Sequence, residues 1–151
     1  MSLRDKLQTD LHQAMRNRDR TRVSVLRMLR SGIGYEEIEK KGNLDDSSIV
    51  DLISRQVRQC RESIGMYRQG NRQDLVDKEE AELAILREYM PAQLSQEELA
   101  DLAKGVIEEV GATGPTDKGK VMGRLMPQVR GKAEGSMVNE VVTRLLAELE
   151  G

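Results

Sequence analysis

Residues 94–111, LSQEELADLAKGVIEEVG, contain the start, the packed face and the end of one helix. Ser95 can accept a hydrogen bond from the amide of Glu98, and the Glu98 side chain can bond back to the amide of Ser95, which is the capping-box pattern. Gly111 suits a left-handed C-terminal cap. Apolar residues recur between these ends at helical spacing: Leu99, Leu102, Val106, Ile107 and Val110. The stretch therefore predicts an amphipathic helix.

Upstream of this helix, apolar residues at spacings of three and four predict four more helices. Ser2 is the expected cap of the first helix, and Asp46 or Ser47 that of the third. The fourth begins near Gln73 and stops at Pro91, which lacks an amide donor and clashes with the preceding turn. Loops are predicted at residues 17–19, 40–43 and 70–71.

Downstream, two more helices are predicted, one with apolar residues from Val121 to Val129 and one from Val138 to Leu149. Pro127 should kink or shorten the first of them. The sequence therefore predicts an all-α protein with two domains. Residues 1–91 form an N-terminal unit of about four helices, and residues 92–151 form a C-terminal three-helix unit.

Composition supports this fold class and excludes several kinds of protein. Of 151 residues, 33% are charged and 38% hydrophobic, with three Tyr and no Phe or Trp, a mixture that favours helices over strands. A single Cys cannot form an internal disulfide. No apolar run approaches the roughly 20 residues of a membrane span, and the first residues do not resemble a signal peptide. We therefore expect a soluble cytoplasmic protein that does not bind membranes.

The residue types that usually carry catalysis are scarce. His12, on the flank of the first helix, has no evident partner to orient it as a base. Cys60 falls in the apolar row of the third helix, where a small buried residue is expected. The carboxylate pair Glu79 and Glu80 is expected to be solvated. We therefore predict no catalytic residue, no metal site and no cofactor.

The most distinctive charge pattern is a basic stretch of the C-terminal unit, although the net charge of the chain is −2. No Asp or Glu interrupts it, and its basic residues are Lys118, Lys120, Arg124, Arg130 and Lys132. Such side chains, beside the amides of a helix start, can bind phosphates. The glycines expected to shape the backbone for this approach are Gly119, Gly131 and Gly135. Gly119 and Gly123 also have the spacing of tightly packed helices.

Two further basic blocks lie in the N-terminal unit. One contains six arginines between Arg16 and Arg30, and the other places Arg55, Arg58 and Arg61 three residues apart, followed by Arg68 and Arg72. For each basic block the alternative interpretation is a solvated helix face.

The stretch 118–142, KGKVMGRLMPQVRGKAEGSMVNEVV, resembles the signature of the YqeY family. Residues 26–28, 61–64 and 88–95 resemble upstream blocks of the same family. The C-terminal domain of this family is similar to the tail of the B subunit of the glutamine-dependent aspartyl/glutamyl-tRNA amidotransferase. The resemblance implies contact with tRNA and an association with carbon–nitrogen ligases that use glutamine as amide donor. The amidotransferase performs its chemistry in a separate core, for which this chain has no room.

The sequence differs from the family signature at two positions, because Glu134 stands for an Asp and Ser136 for a frequent Lys. The function we expect is that of a stand-alone tRNA-binding accessory protein without a catalytic centre of its own. One alternative is a protein-interaction adaptor in tRNA or translation metabolism that docks its partner on the N-terminal helices. The other is an autonomous amide-transfer enzyme, which would need a polar pocket with perturbed titratable groups.

Overall fold

A computed structural model describes residues 1–150 and contains seven α-helices and one 3₁₀-helix over that range. The α-helices are α1 (Leu3–Arg16), α2 (Arg20–Lys40), α3 (Asp46–Gln69), α4 (Gln73–Arg87), α5 (Gln96–Val110), α6 (Lys118–Val129) and α7 (Gly135–Glu150). The 3₁₀-helix, Pro115–Asp117, leads directly into α6. Residues 1–150 include no β-strand, which confirms the predicted all-α class.

The chain divides into two compact units, one ending at Met90 and the other beginning at Pro91. In the N-terminal unit, α1 packs on α2, and α3 packs along α4 as a helical hairpin. Aliphatic side chains fill its core, and the largest fully buried ones are Leu7, Leu26, Leu29, Ile49, Ile53 and Leu86. Their helical spacing in the sequence explains why each helix turns one face inward.

The ends of the first three helices follow from local side-chain bonds and from local backbone conformation. The Ser2 hydroxyl caps α1 as predicted, accepting from the Asp5 amide at 3.1 Å. The cap of α3 is Asp45, one residue before the predicted pair, and its carboxylate accepts from the Ser48 amide at 2.8 Å. Helix α2 ends at Lys40, after which Lys41 adopts a left-handed conformation with φ 58°.

Helix α4 ends at Arg87, earlier than the stop predicted at Pro91. The amides of Tyr89 and Met90 donate to carbonyls three residues back, at 3.1 and 3.2 Å, and so tighten the chain into a short turn before the proline. This early end is expected, because proline disfavours helical backbone in the residue that precedes it.

The C-terminal unit contains α5, α6 and α7 around a second aliphatic core. The predicted capping box of α5 is present in full, and Gly111 ends the helix with φ 68°. Leu102, predicted on the packed face, is instead 37% exposed. Pro127 does not shorten α6, which continues to Val129. Within residues 1–150, no helix is both long enough and apolar enough to cross a membrane.

Candidate functional site

Helix α6 sets the positions of the predicted phosphate-binding side chains. It buries one face completely, because Val121, Leu125 and Val129 expose none of their surface. Lys120 and Arg124 are four residues apart and therefore share one side of the helix. Both are exposed, so this pair forms the basic surface of α6.

The other three predicted basic residues have different environments. Lys118, the first residue of α6, is half-buried, because three residues before Val121 it lies toward the packed side. Arg130 is the C-cap of α6. Lys132 is exposed in the loop that follows. The structure therefore places Lys120 and Arg124 on one helix face but places Lys118 off that face.

The loop that carries Lys132 is fixed by backbone bonds. Its amide donates to the Val129 carbonyl at 2.8 Å, and its carbonyl accepts from the Leu94 amide at 2.8 Å. The Gln93 side chain donates to the carbonyl of Gly131 at 2.8 Å. Gly131 has φ 77°, a left-handed conformation that favours glycine. The position of Lys132 is therefore set by the loop backbone.

Two acidic residues lie against the basic stretch: Asp117 directly precedes it in the sequence, and Glu109 is brought to it by the packing of α5 on α6. The Arg124 guanidinium donates to the Glu109 carboxylate of α5. Asp117, just before α6, accepts from the Thr113 amide at 2.9 Å. That bond is the main reason why the pKa of Asp117 is lowered, and the charge of Lys120 lowers it further. The start of α6 thus carries an anion of its own, while Lys120 and Arg124 face solvent.

The glycines of α6 leave two gaps between the side chains on its outer surface. A Cβ atom added at Gly119 or Gly123 would meet no atom within 4 Å, so the tight helix packing predicted for this pair does not occur. A Cβ atom added at Gly135, the first residue of α7, would likewise meet no atom within 4 Å. The open space above Gly119 and Gly123, next to Lys120 and Arg124, therefore lets a ligand approach the backbone of α6 closely.

Neither His12 nor Cys60 forms a catalytic arrangement. His12 is exposed on α1. Cys60 is buried as predicted, and its thiol donates to the Glu79 carboxylate at 3.0 Å. Burial, followed by the bond to Glu79, raises the pKa of the Cys60 thiol to about 12. The thiol is therefore protonated at neutral pH and is a poor nucleophile.

Cys60, Glu79 and Glu82 form the one group of potential metal ligands found among residues 1–150, with ligand atoms within 4.8 Å of one another. Burial, then the neighbouring charge of Glu79, raises the pKa of Glu82. Glu80, paired with Glu79 in the sequence, lies apart from this group and instead accepts from Arg68 at 2.6 Å. A protonated thiol must lose its proton before it binds a metal ion, so metal binding at this group would release a proton.

These features define a class of protein. It is an all-α chain of two units, in which helix α6 of the smaller unit contains no Asp or Glu and presents a basic surface. The chain belongs to the YqeY-like family. The family model described as Yqey-like protein matches residues 4–146, which include both units.

Three relatives share the name Altered inheritance of mitochondria protein 41, mitochondrial. The protein from Pyrenophora tritici-repentis is 32% identical over 97% of this chain and 80% of its own length. The protein from Lachancea thermotolerans is 39% identical over 56% of this chain and 46% of its own length. The one from Eremothecium gossypii is 36% identical over 71% of this chain and 60% of its own length. The chain thus matches most of the first relative but less than two thirds of the other two.

These relatives contradict the cytoplasmic location predicted from the sequence, because each of the three is named as a mitochondrial protein. The prediction rested on composition and on the absence of apolar segments. Neither property distinguishes the cytoplasm from the interior of an organelle, so the prediction of a cytoplasmic location is wrong.

Proposed function

We propose that this chain is a tRNA-binding accessory protein whose C-terminal unit resembles the tail of the tRNA-dependent amidotransferase B subunit. The observation that carries the proposal is the outer side of α6. Lys120 and Arg124 are exposed there beside Gly119 and Gly123, above which the surface is open. A phosphate backbone can therefore lie against the helix while the two side chains reach its oxygens. Arg130 and Lys132 extend the same contact into the loop.

The composition of the chain favours recognition of the RNA backbone over recognition of bases. Stacking on single-stranded bases needs exposed aromatic rings, and the C-terminal unit has none, because the three Tyr residues of the chain all precede Pro91. Double-stranded RNA is recognised mainly through its phosphates and its shape. We therefore infer that the C-terminal unit reads the folded shape of tRNA rather than its sequence.

The test is tRNA binding by the full chain across a salt series. The variant replaces Lys120, Arg124, Arg130 and Lys132 with Glu. For the native chain we expect the logarithm of affinity to fall linearly with the logarithm of salt concentration, by about 0.7–0.9 per phosphate contact. The variant should lose measurable binding. Equal affinity and equal salt dependence for the two proteins would refute the proposal.

A second variant uses the ion pair that the structure reveals. Glu109→Gln releases Arg124 for phosphate and should therefore strengthen tRNA binding. The matched control is Glu148→Gln, which makes the same charge change on α7, where Glu148 lies 4.0 Å from Arg144. A gain in affinity specific to Glu109→Gln supports contact at Arg124, whereas equal gains would show that only net charge matters.

A second candidate function, that of a protein-interaction adaptor, is favoured by the outward side of α2. Tyr35 and Ile38 are 67% and 77% exposed, and Met28, seven residues before Tyr35, is 41% exposed. If the chain is an adaptor, a partner protein should co-purify with the native chain and be lost from the variant Tyr35→Glu/Ile38→Glu. The same partner should still co-purify with the variant in which the four basic residues of the C-terminal unit are replaced by Glu. The tRNA-binding proposal predicts that Tyr35→Glu/Ile38→Glu leaves tRNA affinity unchanged.

A further inference from the structure

Helix α2 carries a row of exposed side chains on the side that faces away from the core. Three of them are apolar, because Met28, Tyr35 and Ile38 are 41%, 67% and 77% exposed. Together with the exposed Ser31 they are spaced by three, four and three positions, so they lie in one line along the helix. These four residues are called the α2 row. Their spacing is that of a helix that packs along a second helix.

A second copy of α2 fits the α2 row when it runs antiparallel. The midpoint of the row lies at position 33, with Ser31 and Tyr35 equally far from it, and likewise Met28 and Ile38. In an antiparallel pair that crosses at this midpoint, Met28 of one copy therefore faces Ile38 of the other. The Tyr35 ring faces the small Ser31 side chain, and a Cβ added at the neighbouring Gly34 would meet no atom within 4 Å. A large side chain opposite a small one permits close packing.

Charge is arranged along α2 in two blocks. Residues 20–30 contain four arginines and no acidic residue, and residues 31–39 contain three glutamates and no basic residue before Lys40 ends the helix. The helix dipole favours acids near the start and bases near the end, so the stability of α2 itself does not explain these blocks. An antiparallel pair places the basic block of each copy level with the acidic block of the other, whereas a parallel pair would place like charges level.

Several charges of the two blocks form ion pairs within the chain, namely those of Arg22, Glu36 and Glu37. Arg27, Arg30 and Glu39 are exposed. Arg27 and Glu39 are equally far from the midpoint of the α2 row, as are Arg30 and Glu36. Glu36 is still 35% exposed, and a carboxylate that accepts from one guanidinium has acceptor sites for a second. The antiparallel pair therefore brings opposite charges to the same level at both of its ends.

We propose that the α2 row is a self-association surface, on which a second copy of this chain packs its own α2 in antiparallel orientation. A two-fold axis then passes through the midpoint of the row, and both copies contribute the same residues, as in most homodimers. A second copy is favoured over an unrelated protein, because the sizes and the charges along α2 complement those of the same helix in reverse order. The proposal concerns the N-terminal unit and does not depend on tRNA binding by the C-terminal unit.

The first experiment is sedimentation velocity of the full chain at a series of concentrations. We expect a dimer that dissociates on dilution. Ile38→Ser should raise the dissociation constant about tenfold or more, because it removes an apolar side chain from both ends of the interface. The matched control is Met66→Ser, which removes a 71% exposed apolar side chain from α3 and should leave the constant unchanged. A chain that is monomeric at every concentration, or equal effects of the two variants, would overturn the proposal.

Cross-linking tests the orientation of the two copies. Ser31→Cys and Ser24→Cys each replace one exposed hydroxyl of α2 by a thiol, and the native chain, whose Cys60 is buried, gives the background. Along the axis of the antiparallel pair, the two copies of position 31 are about 6 Å apart and those of position 24 about 27 Å apart. A short bismaleimide should therefore link Ser31→Cys into a covalent dimer and leave Ser24→Cys unlinked. Links at both positions would show a parallel pair, and links at neither would show that the copies meet elsewhere, so either result refutes the proposal.

Discussion

The polar contacts of the two units span different distances along the chain. In the N-terminal unit, polar side chains link helices that are far apart in sequence. Arg4 bonds to Glu37, and the Tyr89 hydroxyl donates to Asp10 at 2.7 Å across 79 positions. In the C-terminal unit the polar contacts span shorter distances along the chain, such as the 38 positions from the Gln93 side chain to the Gly131 carbonyl, and several are local. Ser95 and Glu98 close a capping box over three positions, and Thr113 bonds to Asp117 over four.

This difference shows that polar contacts join elements farther apart in sequence in the N-terminal unit than in the C-terminal unit. Helices α2 and α3 are 21 and 24 residues long, and ion pairs such as Arg55 with Glu36 connect them. The C-terminal helices are 12 to 16 residues long, and local caps define both ends of α5.

The largest effect is expected from truncating one buried leucine in each core. Leu26→Ala in the N-terminal unit and Leu125→Ala in the C-terminal unit each remove a side chain that exposes no surface. Each should cost about 2–5 kcal/mol of unfolding free energy. Hydrogen exchange should show the loss of protection confined to the unit that carries the substitution. Equal loss in both units would mean that the chain unfolds as one domain.

The Tyr89 hydroxyl should be the next most important contact, and it tests the long-range links of the N-terminal unit. The side chain is 5% exposed, and its hydroxyl donates to a carboxylate. Tyr89→Phe should therefore cost about 1.5–3 kcal/mol, the range for hydrogen bonds to charged groups. Tyr35→Phe is the control, because Tyr35 is 67% exposed. Urea denaturation that does not distinguish the two variants would show that the link to Asp10 is dispensable.

The protonated Cys60 thiol predicts a pH dependence that belongs to the N-terminal unit. An unfolded cysteine has a pKa of about 8.5. In the folded chain the pKa is about 12, so above the lower value the unfolded state loses its proton first. Stability should therefore fall as pH rises through this window, by at most about 1.4 kcal/mol per pH unit. Cys60→Ala should have a shallower slope than the native chain in denaturation measured at a series of pH values. Parallel slopes would contradict the prediction.

The smallest effect is expected from the caps, which compare the two units directly. The hydroxyls of Ser2 and Ser95 each accept from an amide three residues on, at 3.1 Å. Only the amide of Ser95 also donates to the carboxylate of the third helical residue, Glu98, which completes a capping box. Ser95→Ala should cost about 1 kcal/mol and Ser2→Ala less. Thermal denaturation of both variants provides the measurement, and a larger loss for Ser2→Ala would reverse the proposed order.

Much of the fold could be predicted from the sequence where a few neighbouring residues decide it. The cap at Ser95, the left-handed Gly111 and the cap at Ser2 depend only on residues within one helical turn. Asp45 was missed in favour of its neighbours, because consecutive capping residues make the first helical position ambiguous. Pro127 was expected to kink or shorten α6, which nevertheless extends two residues beyond it.

The candidate site could be predicted less well. The basic residues of α6 were found from the sequence, because Lys120 and Arg124 stand out against a stretch without acids. The pairing of Arg124 with Glu109 was missed, since the two residues are 15 positions apart and meet only when α5 and α6 pack together.

The sequence by itself determined the helical class, the caps at Ser2 and Ser95 and most of the packed faces, because each depends on short-range spacing and on the chemistry of adjacent residues. Only the tertiary structure decided which charges are neutralised and which remain. Glu109 accepts from Arg124, and Glu80 accepts from Arg68. These outcomes depend on packing between helices, since electrostatic interactions act over distances in space and not along the chain.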